Sequence, residues 1–188
     1  MEKLLFPNLN GKWKSDIKLE KYADLIRFDG GFVSLHNMLG VDYSWGGYLE
    51  NRESMLSYTY LPSGGRYHLG IDYWVSEGVA VHLPKEGKLI YSGSNGDQDG
   101  GWGGKVIFKI NELYYIFGHL KNIVVEIGRV YSQGEVLGYI AEREYNGGWY
   151  PHLHVQCMRN LDVDVDGYSS WRDNLGSDFP NPMEAIML

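Results

Sequence analysis

The chain has 188 residues and a formal net charge of −7 at pH 7, and 44% of its residues are hydrophobic. This hydrophobic fraction is that of a globular protein and excludes wholesale disorder, and the length suits one well-packed domain with a small appendage. The acidic balance argues against a nucleic-acid-binding protein, which would carry a basic face, and against attraction to anionic membranes. The single cysteine, Cys157, excludes an intrachain disulfide.

Residues 1–55 differ from the rest and predict a small N-terminal α+β extension of unknown role. Ser15 or Asp16 could cap a helix, because the apolar residues within Leu19–Ile26 follow helical spacing. Phe32–Leu35 could form a short strand. His36 is isolated and is interpreted as a packing or surface histidine, since metal sites need clustered ligands. The segment shows no catalytic pattern.

The first residues contain no apolar stretch long enough for a signal peptide, and no run approaches a transmembrane span. If Met1 is the native start, the expected location is the cytoplasm. If the chain was trimmed, a periplasmic or extracellular location is expected instead.

Residues 56–188 predict one catalytic domain built from short strands. Turn signals rich in Gly, Pro and Asn separate these strands, and no long amphipathic helix intervenes, which favours antiparallel pairing. Ser94–Gly104 is predicted to be a mobile loop, and the residues after Phe179 a terminal turn or short helix. The predicted strands are Leu56–Tyr60, His68–Trp74, Val79–Leu83, Lys88–Gly93, Lys105–Ile110, Leu113–Phe117, Val136–Ala141 and His152–Met158.

Two histidine clusters about eighty residues apart carry the chemical signal. His152 and His154 share one face of a strand, because side chains alternate along extended chain. His68 and Asp72 share a face in a strand or in a helix, and the central Gly70 favours the extended form. Two histidines and one aspartate are typical of a catalytic zinc site, which leaves one position for water. The helical H-E-x-x-H zinc motif is absent.

An ordered set of motifs over about ninety residues resembles the lysostaphin-type (LytM-like) zinc endopeptidases. The set is H-x-x-x-D, a valine- and glycine-marked strand pair, a glycine-rich loop, an aromatic strand that ends in G-H-L, a G-x-x-V segment and P-H-L-H. The corresponding segments are His68–Asp72, Val81–Ile90, Gly100–Gly104, Tyr114–Leu120, Gly128–Gly138 and Pro151–His154. The segment Asn146–Gln156 further resembles an intracellular subset of the family. This resemblance implies a mainly β fold, a curled antiparallel sheet with an open groove.

The resemblance also implies roles for individual residues. His68, Asp72 and His154 are expected to bind one Zn²⁺ per chain, and His119 and His152 to be the two catalytic histidines. Zinc-bound water has a pKa near 7, so the histidines would serve as acid/base and as oxyanion stabiliser. Which of the two is the base stays open.

Several aromatic residues are candidates for the substrate site. Tyr60 is a candidate donor to the oxyanion, and four others are candidate groove walls, although core packing would explain each of them equally well. The groove candidates are Trp149, Tyr150, Trp102 and Tyr73.

The predicted function is zinc-dependent endopeptidase cleavage of peptidoglycan or of a related small peptide. The alternative is a non-catalytic peptide-binding or regulatory module on the same fold. The expected partners are peptidoglycan or a peptide, with no nucleic acid and no membrane, and the oligomeric state is open.

Three further features have a structural interpretation. His82 is predicted to be structural, and Cys157, at i+3 from His154, to be a buried thiol facing away from the metal. The acidic loop Asp162–Asp173 matches the oxygen spacing of a Ca²⁺-binding EF-hand loop, but flanking helices are not evident, so a solvated loop is favoured.

Overall fold

The structure, a computed structural model, describes residues 16–19, 31–52, 67–94, 101–169 and 173–187. These residues form short strands and few helices. The strands are β1 (Asp16–Leu19), β2 (Tyr43–Gly46), β3 (Tyr67–His68), β4 (Gly70–Trp74), β5 (Ala80–His82), β6 (Gly87–Ser94), β7 (Gly104–Ile110), β8 (Leu113–Lys121), β9 (Val130–Tyr131), β10 (Val136–Ile140), β11 (His152–Met158) and β12 (Tyr168–Ser169). The helices are α1 (Gly31–Leu39), α2 (Leu175–Asp178) and α3 (Pro182–Met187).

Ten strands form one open sheet in the order β1-β2-β4-β11-β8-β7-β6-β9, with β10 bridging β8 and β5. All pairs are antiparallel except β1 with β2. Strands β3 and β12 form a separate two-stranded sheet. The prediction of a mainly β, antiparallel fold is therefore confirmed, and the last predicted helix is α3.

Alternation along the central strands separates a core face from a site face. Leu153, Val155 and Cys157 of β11 are fully buried in the main apolar core, together with Val106 and Phe117 of the neighbouring strands. Cys157 is thus the buried thiol that the spacing predicts. Histidines 152 and 154 alternate with these residues and project from the opposite face, so the same pattern that builds the core also presents the histidines.

The segment Phe32–Leu35, predicted to be a strand, lies within helix α1, so this prediction is wrong. Phe32, Leu35 and His36 are buried at i, i+3 and i+4, which is helical spacing, while Val33 is 50% exposed. His36 Nε2 and Ser44 Oγ share a hydrogen bond at 2.8 Å. The interpretation of His36 as a packing histidine is therefore confirmed.

The predicted helix start at Ser15 or Asp16 is also wrong for the described part, because Asp16–Leu19 is strand β1. It pairs in parallel with β2, from Asp16 opposite Tyr43 to Leu19 opposite Gly46. Pairing at the edge of the sheet holds Asp16–Leu19 in an extended conformation. Residues 20–30, which would continue that helix, lie outside the described residues.

Strand β2 belongs to the predicted N-terminal extension, yet it pairs with β4 in the main sheet. The proposed boundary at residue 55 falls in 53–66, outside the described residues, as do the predicted strand Leu56–Tyr60 and the candidate Tyr60. The two-part division of the chain stays a prediction. The open groove stays a prediction as well.

The acidic loop Asp162–Asp173 is preceded by strand β11, which ends at Met158, and it contains strand β12. Among the described residues it therefore lacks the helix that precedes an EF-hand loop, and the helix that follows it, α2, has only four residues. The Asp162 carboxylate accepts a hydrogen bond from the backbone N–H of Asp164 at 2.9 Å. Across the described ranges, no helix has the length and apolarity to cross a bilayer.

Candidate active site

Two neighbouring strands place the proposed metal ligands on one face of the sheet. Strands β4 and β11 are antiparallel, and His154 lies directly opposite Asp72 in their register. Opposite residues of a pair project to the same side, so these two side chains meet. His68 lies just before the break at Leu69, on β3, and reaches the same point from the end of β4.

The three side chains bring one donor atom each to a nearly equilateral triangle. His68 Nε2 lies 3.0 Å from His154 Nδ1 and 3.2 Å from Asp72 Oδ1, and His154 Nδ1 lies 3.1 Å from Asp72 Oδ1. A tetrahedral zinc ion with bonds of about 2.0–2.1 Å needs ligand atoms about 3.3–3.4 Å apart. The donor set and its spacing therefore fit zinc, with small adjustments. Each residue is at most 3% exposed.

Gly70 makes room for this arrangement between His68 and Asp72. A Cβ atom at Gly70 would lie 2.5 Å from His154 Nε2 and 2.4 Å from the backbone oxygen of Val155. Since a real Cβ does not tolerate either contact, only glycine at this position lets β4 and the His154 ring approach so closely.

In each of the two ligand histidines, one ring nitrogen donates a hydrogen bond to an outer partner. The other ring nitrogen then faces the ligand triangle. His68 Nδ1 donates to the backbone oxygen of Gly47 at 2.8 Å, which leaves its Nε2 lone pair in the triangle. His154 Nε2 donates to Gln156 Oε1 at 3.2 Å, which leaves its Nδ1 lone pair there. Such outer partners fix the tautomer and ring orientation of metal-binding histidines.

The third ligand also has an outer partner. Arg52 Nη2 donates to Asp72 Oδ2 at 2.9 Å, so Oδ1 is the oxygen that remains in the triangle. Sequence reasoning missed Gly47, Arg52 and Gln156. Gln156 could have been found from its i+2 spacing to His154, whereas Gly47 and Arg52 lie in the segment where no chemistry was expected.

A β-bulge turns His119 toward the same face. Gly104 pairs with Leu120 and Val106 pairs with Phe117, so β8 has one residue more than β7 between these pairs. His119 has φ of 62°, a left-handed conformation that is uncommon outside glycine. Without the bulge, strict alternation would place its side chain on the side of Phe117 instead.

His119 and His152 form a pair beside the ligand triangle, with ring centroids 4.3 Å apart. His119 Nδ1 donates to the backbone oxygen of Asn146 at 3.0 Å, and His152 Nδ1 donates to that of Tyr150 at 2.6 Å. Both Nε2 atoms therefore carry the lone pair, and His152 Nε2 lies 3.6 Å from Asp72 Oδ1.

The predicted aromatic walls are distributed unevenly around the pair. Trp102 stacks on His119 with centroids 5.9 Å apart and meets the His154 ring edge-on at 5.0 Å. Trp149 and Tyr150 are half-buried, and the Tyr150 ring meets Phe32 edge-on with centroids 6.4 Å apart. Tyr73 is 1% exposed and contributes to the main core, as the packing interpretation expects. His82, the predicted structural histidine, donates from Nδ1 to the backbone oxygen of Gly134 at 2.8 Å.

Burial favours the neutral form of His68, His119 and His152. It lowers the pKa of His68 to about 4, with a further lowering by the charge of Arg52. Burial lowers the pKa values of His119 and His152 as well, and for His119 the neighbouring histidines add to the effect. Burial alone would raise the pKa of Asp72, but His68 and Arg52 hold it well below its usual value. Neutral imidazoles and an ionised carboxylate are the forms that bind a cation.

The chain combines a mainly β fold with a cluster of two histidines and one aspartate. These features are those of a class of metallopeptidases, and comparison with known proteins leads to the same class. The sequence profile of peptidase family M23 matches residues 66–166, more than half of the chain. The chain belongs to this family.

Curated relatives share moderate identity with part of the chain. DD-carboxypeptidase/endopeptidase Mpg of Neisseria meningitidis is 30% identical over 96 residues, 50% of this chain and 21% of that protein. Glycyl-glycine endopeptidase ALE-1 of Staphylococcus capitis is 28% identical over 120 residues, 62% of this chain and 31% of that protein. The matched regions thus span less than a third of these relatives' own length.

Solved structures confirm the fold. The catalytic domain of the antimicrobial peptidase lysostaphin from Staphylococcus simulans superposes with a TM-score of 0.51 at 22% identity. The match covers 74% of this chain and 100% of that domain. The prediction of a lysostaphin-type catalytic-domain fold is therefore confirmed.

Proposed function

We propose that this chain is a zinc-dependent endopeptidase that cleaves peptide bonds in peptidoglycan or in a related small peptide. The observation that carries the proposal is the buried triangle of His68, Asp72 and His154 donor atoms, 3.0–3.2 Å apart, beside two further histidines with free Nε2 atoms. Membership in the M23 family supports peptidase activity for this arrangement.

In this proposal His68, Asp72 and His154 hold the zinc ion, whose chemistry is to lower the pKa of a bound water and to polarise the scissile carbonyl. The outer hydrogen bonds from Gly47, Arg52 and Gln156 keep the three donor atoms in place. The burial of the three ligand residues excludes competing water, and electrostatic interactions are stronger in a buried site than in water.

His119 and His152 would manage the proton. Each has a fixed Nδ1–H and an Nε2 lone pair, so each can accept a proton at Nε2 and later donate it to the leaving amine. Their ring centroids are only 4.3 Å apart, so protonation of one disfavours protonation of the other. The pair therefore suits one base and one neutral partner near the oxyanion.

The names of two relatives support a substrate class for this proposal. One is named a glycyl-glycine endopeptidase and another a DD-carboxypeptidase/endopeptidase, so peptides rich in glycine or in D-amino acids are the substrates to test. A peptidoglycan substrate would require that the protein reaches the cell wall.

The first experiment is elemental analysis of the purified chain together with a cleavage assay. Wild type and His154→Ala would be compared on intact peptidoglycan, a glycine-only peptide and a D-alanine-containing peptide, with and without a chelator. We expect about one zinc per wild-type chain and chelator-sensitive cleavage of at least one substrate, both lost in the variant.

Zinc binding without cleavage of any of these substrates would favour the peptide-binding alternative. Absence of zinc in the wild type, even after titration with the metal, would contradict the metal assignment itself. Cleavage that persists in His154→Ala or with chelator would contradict the mechanism.

A further inference from the structure

We propose that the segment 47–52 belongs to the metal centre, with Arg52 as a positioning residue that fixes Asp72 for the metal. The inference rests on the proposed function in that it assumes that the ligand triangle binds zinc. It assigns a role to residues that precede the family match at 66–166.

Arg52 is enclosed and uses each guanidinium nitrogen for a different partner. It is 2% exposed, and Nη2 donates to Asp72 Oδ2 at 2.9 Å. Nε donates to Glu50 Oε2 at 2.8 Å, and Nη1 donates to Tyr168 Oη at 3.0 Å. The planar, rigid fork of the guanidinium is thereby held in one orientation, and it holds the carboxylate of Asp72 in turn.

This contact selects which carboxylate oxygen faces the ligand triangle. With Oδ2 bound to Arg52, the Asp72 side chain cannot rotate, and Oδ1 stays within 3.2 Å of both histidine donor atoms. A lysine would keep the charge and has three N–H donors, but all three are on one nitrogen and cannot span the positions of Glu50, Asp72 and Tyr168 as the planar guanidinium does. Arg52→Lys should therefore hold the carboxylate less firmly.

The same segment also fixes His68 through its backbone. His68 N donates to the backbone oxygen of Glu50 at 3.0 Å, its backbone oxygen accepts from Leu49 N at 2.8 Å, and its Nδ1 donates to the oxygen of Gly47. Gly47 has φ of 97°, and a Cβ there would lie 2.3 Å from Arg52 Nη2 and 2.9 Å from His68 Nδ1. Two of the three ligands thus depend on one short segment.

Two opposite effects of Arg52 on zinc affinity must be weighed. Its positive charge repels a cation, which would weaken binding, whereas its hydrogen bonds remove the conformational freedom of Asp72. Loss of an outer partner of a metal ligand typically weakens metal affinity by about 10–100-fold, so we expect positioning to outweigh repulsion.

The test is the zinc dissociation constant of the full chain, measured by competition with a chromophoric chelator after metal removal. Arg52→Lys and Arg52→Met should each bind zinc about 10–100-fold more weakly than wild type. Tyr168→Phe, which removes one acceptor from Arg52 and keeps the ring, should weaken binding in the same direction. The visible spectrum of the Co²⁺-substituted Arg52→Lys protein should change, because that spectrum depends on ligand geometry.

Matched glycine variants separate this role from general loss of stability. Gly47→Ala should weaken zinc binding as Arg52→Lys does. Gly128→Ala introduces the same backbone strain, since Gly128 has φ of 89°, but its Cβ would meet no heavy atom within 4 Å. It should leave the zinc dissociation constant unchanged, even if the protein unfolds at lower temperature.

Arg52 variants that bind zinc as tightly as wild type, or more tightly, with an unchanged Co²⁺ spectrum would overturn the inference alone. A wild-type chain that binds no zinc would overturn both the inference and the proposed function. Zinc binding without hydrolysis would overturn only the proposed activity, because the readout here is affinity.

Discussion

His119 illustrates how a single residue departs from the regular sheet for the sake of the site. Its left-handed backbone costs about 1–3 kcal/mol for a residue other than glycine. The conformation is held by two backbone hydrogen bonds, from His119 N to the oxygen of Trp102 at 2.9 Å and from Ala141 N to the oxygen of His119 at 3.0 Å. The surrounding structure therefore holds His119 in a strained backbone conformation that directs its imidazole toward His152.

Removal of either histidine of this pair should abolish most activity without removing the metal. His119→Ala and His152→Ala are each expected to lower kcat by about 10²–10⁴-fold, the usual contribution of a positioned acid or base. The measurement is kcat on the best substrate beside zinc content. His82→Ala, a buried histidine on β5, is the control and should retain activity. A variant of the pair with near-wild-type kcat would contradict its catalytic role.

For individual residues, the sequence predicted which side chains lie together in the site. It did not predict the backbone conformation and hydrogen bonds that position them. His152 and His154 followed from alternation, and their partners from the resemblance. The bulge at His119 could not be predicted, because it depends on a mismatch between β7 and β8 that no local pattern encodes. Arg52 could not be predicted either, since its partners Asp72 and Tyr168 are 20 and 116 residues away in the chain.

Helix α1 and strand β2 are joined by a buried polar contact that depends on pH. Burial lowers the pKa of His36 to about 4, although Asp42 opposes the shift, and the ring shares a hydrogen bond with Ser44. The unfolded chain takes up a proton below pH 6.5, whereas the folded chain does so only near pH 4. Stability is therefore fully present above pH 6.5 and falls as the pH is lowered toward 4.

His36→Gln should reduce this acid sensitivity, because glutamine can share the hydrogen bond with Ser44 but does not titrate. Between pH 7.5 and 5 the wild type should lose at most about 2 kcal/mol more unfolding free energy than the variant. Urea unfolding of both metal-free proteins at the two pH values measures the difference. Equal losses in the two proteins would contradict a neutral, buried His36.

Element by element, the strands that could be predicted are those with strong alternation and clear turns. The strand His152–Met158 was predicted with the observed bounds, and Lys105–Ile110 to within one residue. The two N-terminal elements β1 and α1 were not. Three apolar residues within 32–35 suit a strand or a helix, and α1 is decided by packing against β2. Asp16–Leu19 became a strand because a sheet edge was available to it.

For the molecule as a whole, a bound metal would join the main sheet to the β3–β12 pair. His68 belongs to β3, whereas Asp72 and His154 belong to neighbouring strands of the main sheet. An ion that binds the folded chain alone stabilises it by mass action.

Zinc at about 100 times its dissociation constant should therefore add about 2.7 kcal/mol, which is a rise of about 5–10 °C in Tm for a domain of this size. Thermal unfolding with zinc and with excess chelator measures the effect. His154→Ala should show no rise. A Tm that is indifferent to zinc in the wild type would contradict a site formed only in the folded state.

The register between β4 and β11 has a consequence for folding. Because His154 faces Asp72 only when the two strands pair as observed, a slip of one residue would send both histidines of β11 to the core side and bring Leu153 to the surface. The ion would then find no site. Metal binding would thus stabilise only the chains in which β4 and β11 pair in the observed register. Chains with a shifted register would gain no such stabilisation and would unfold and refold.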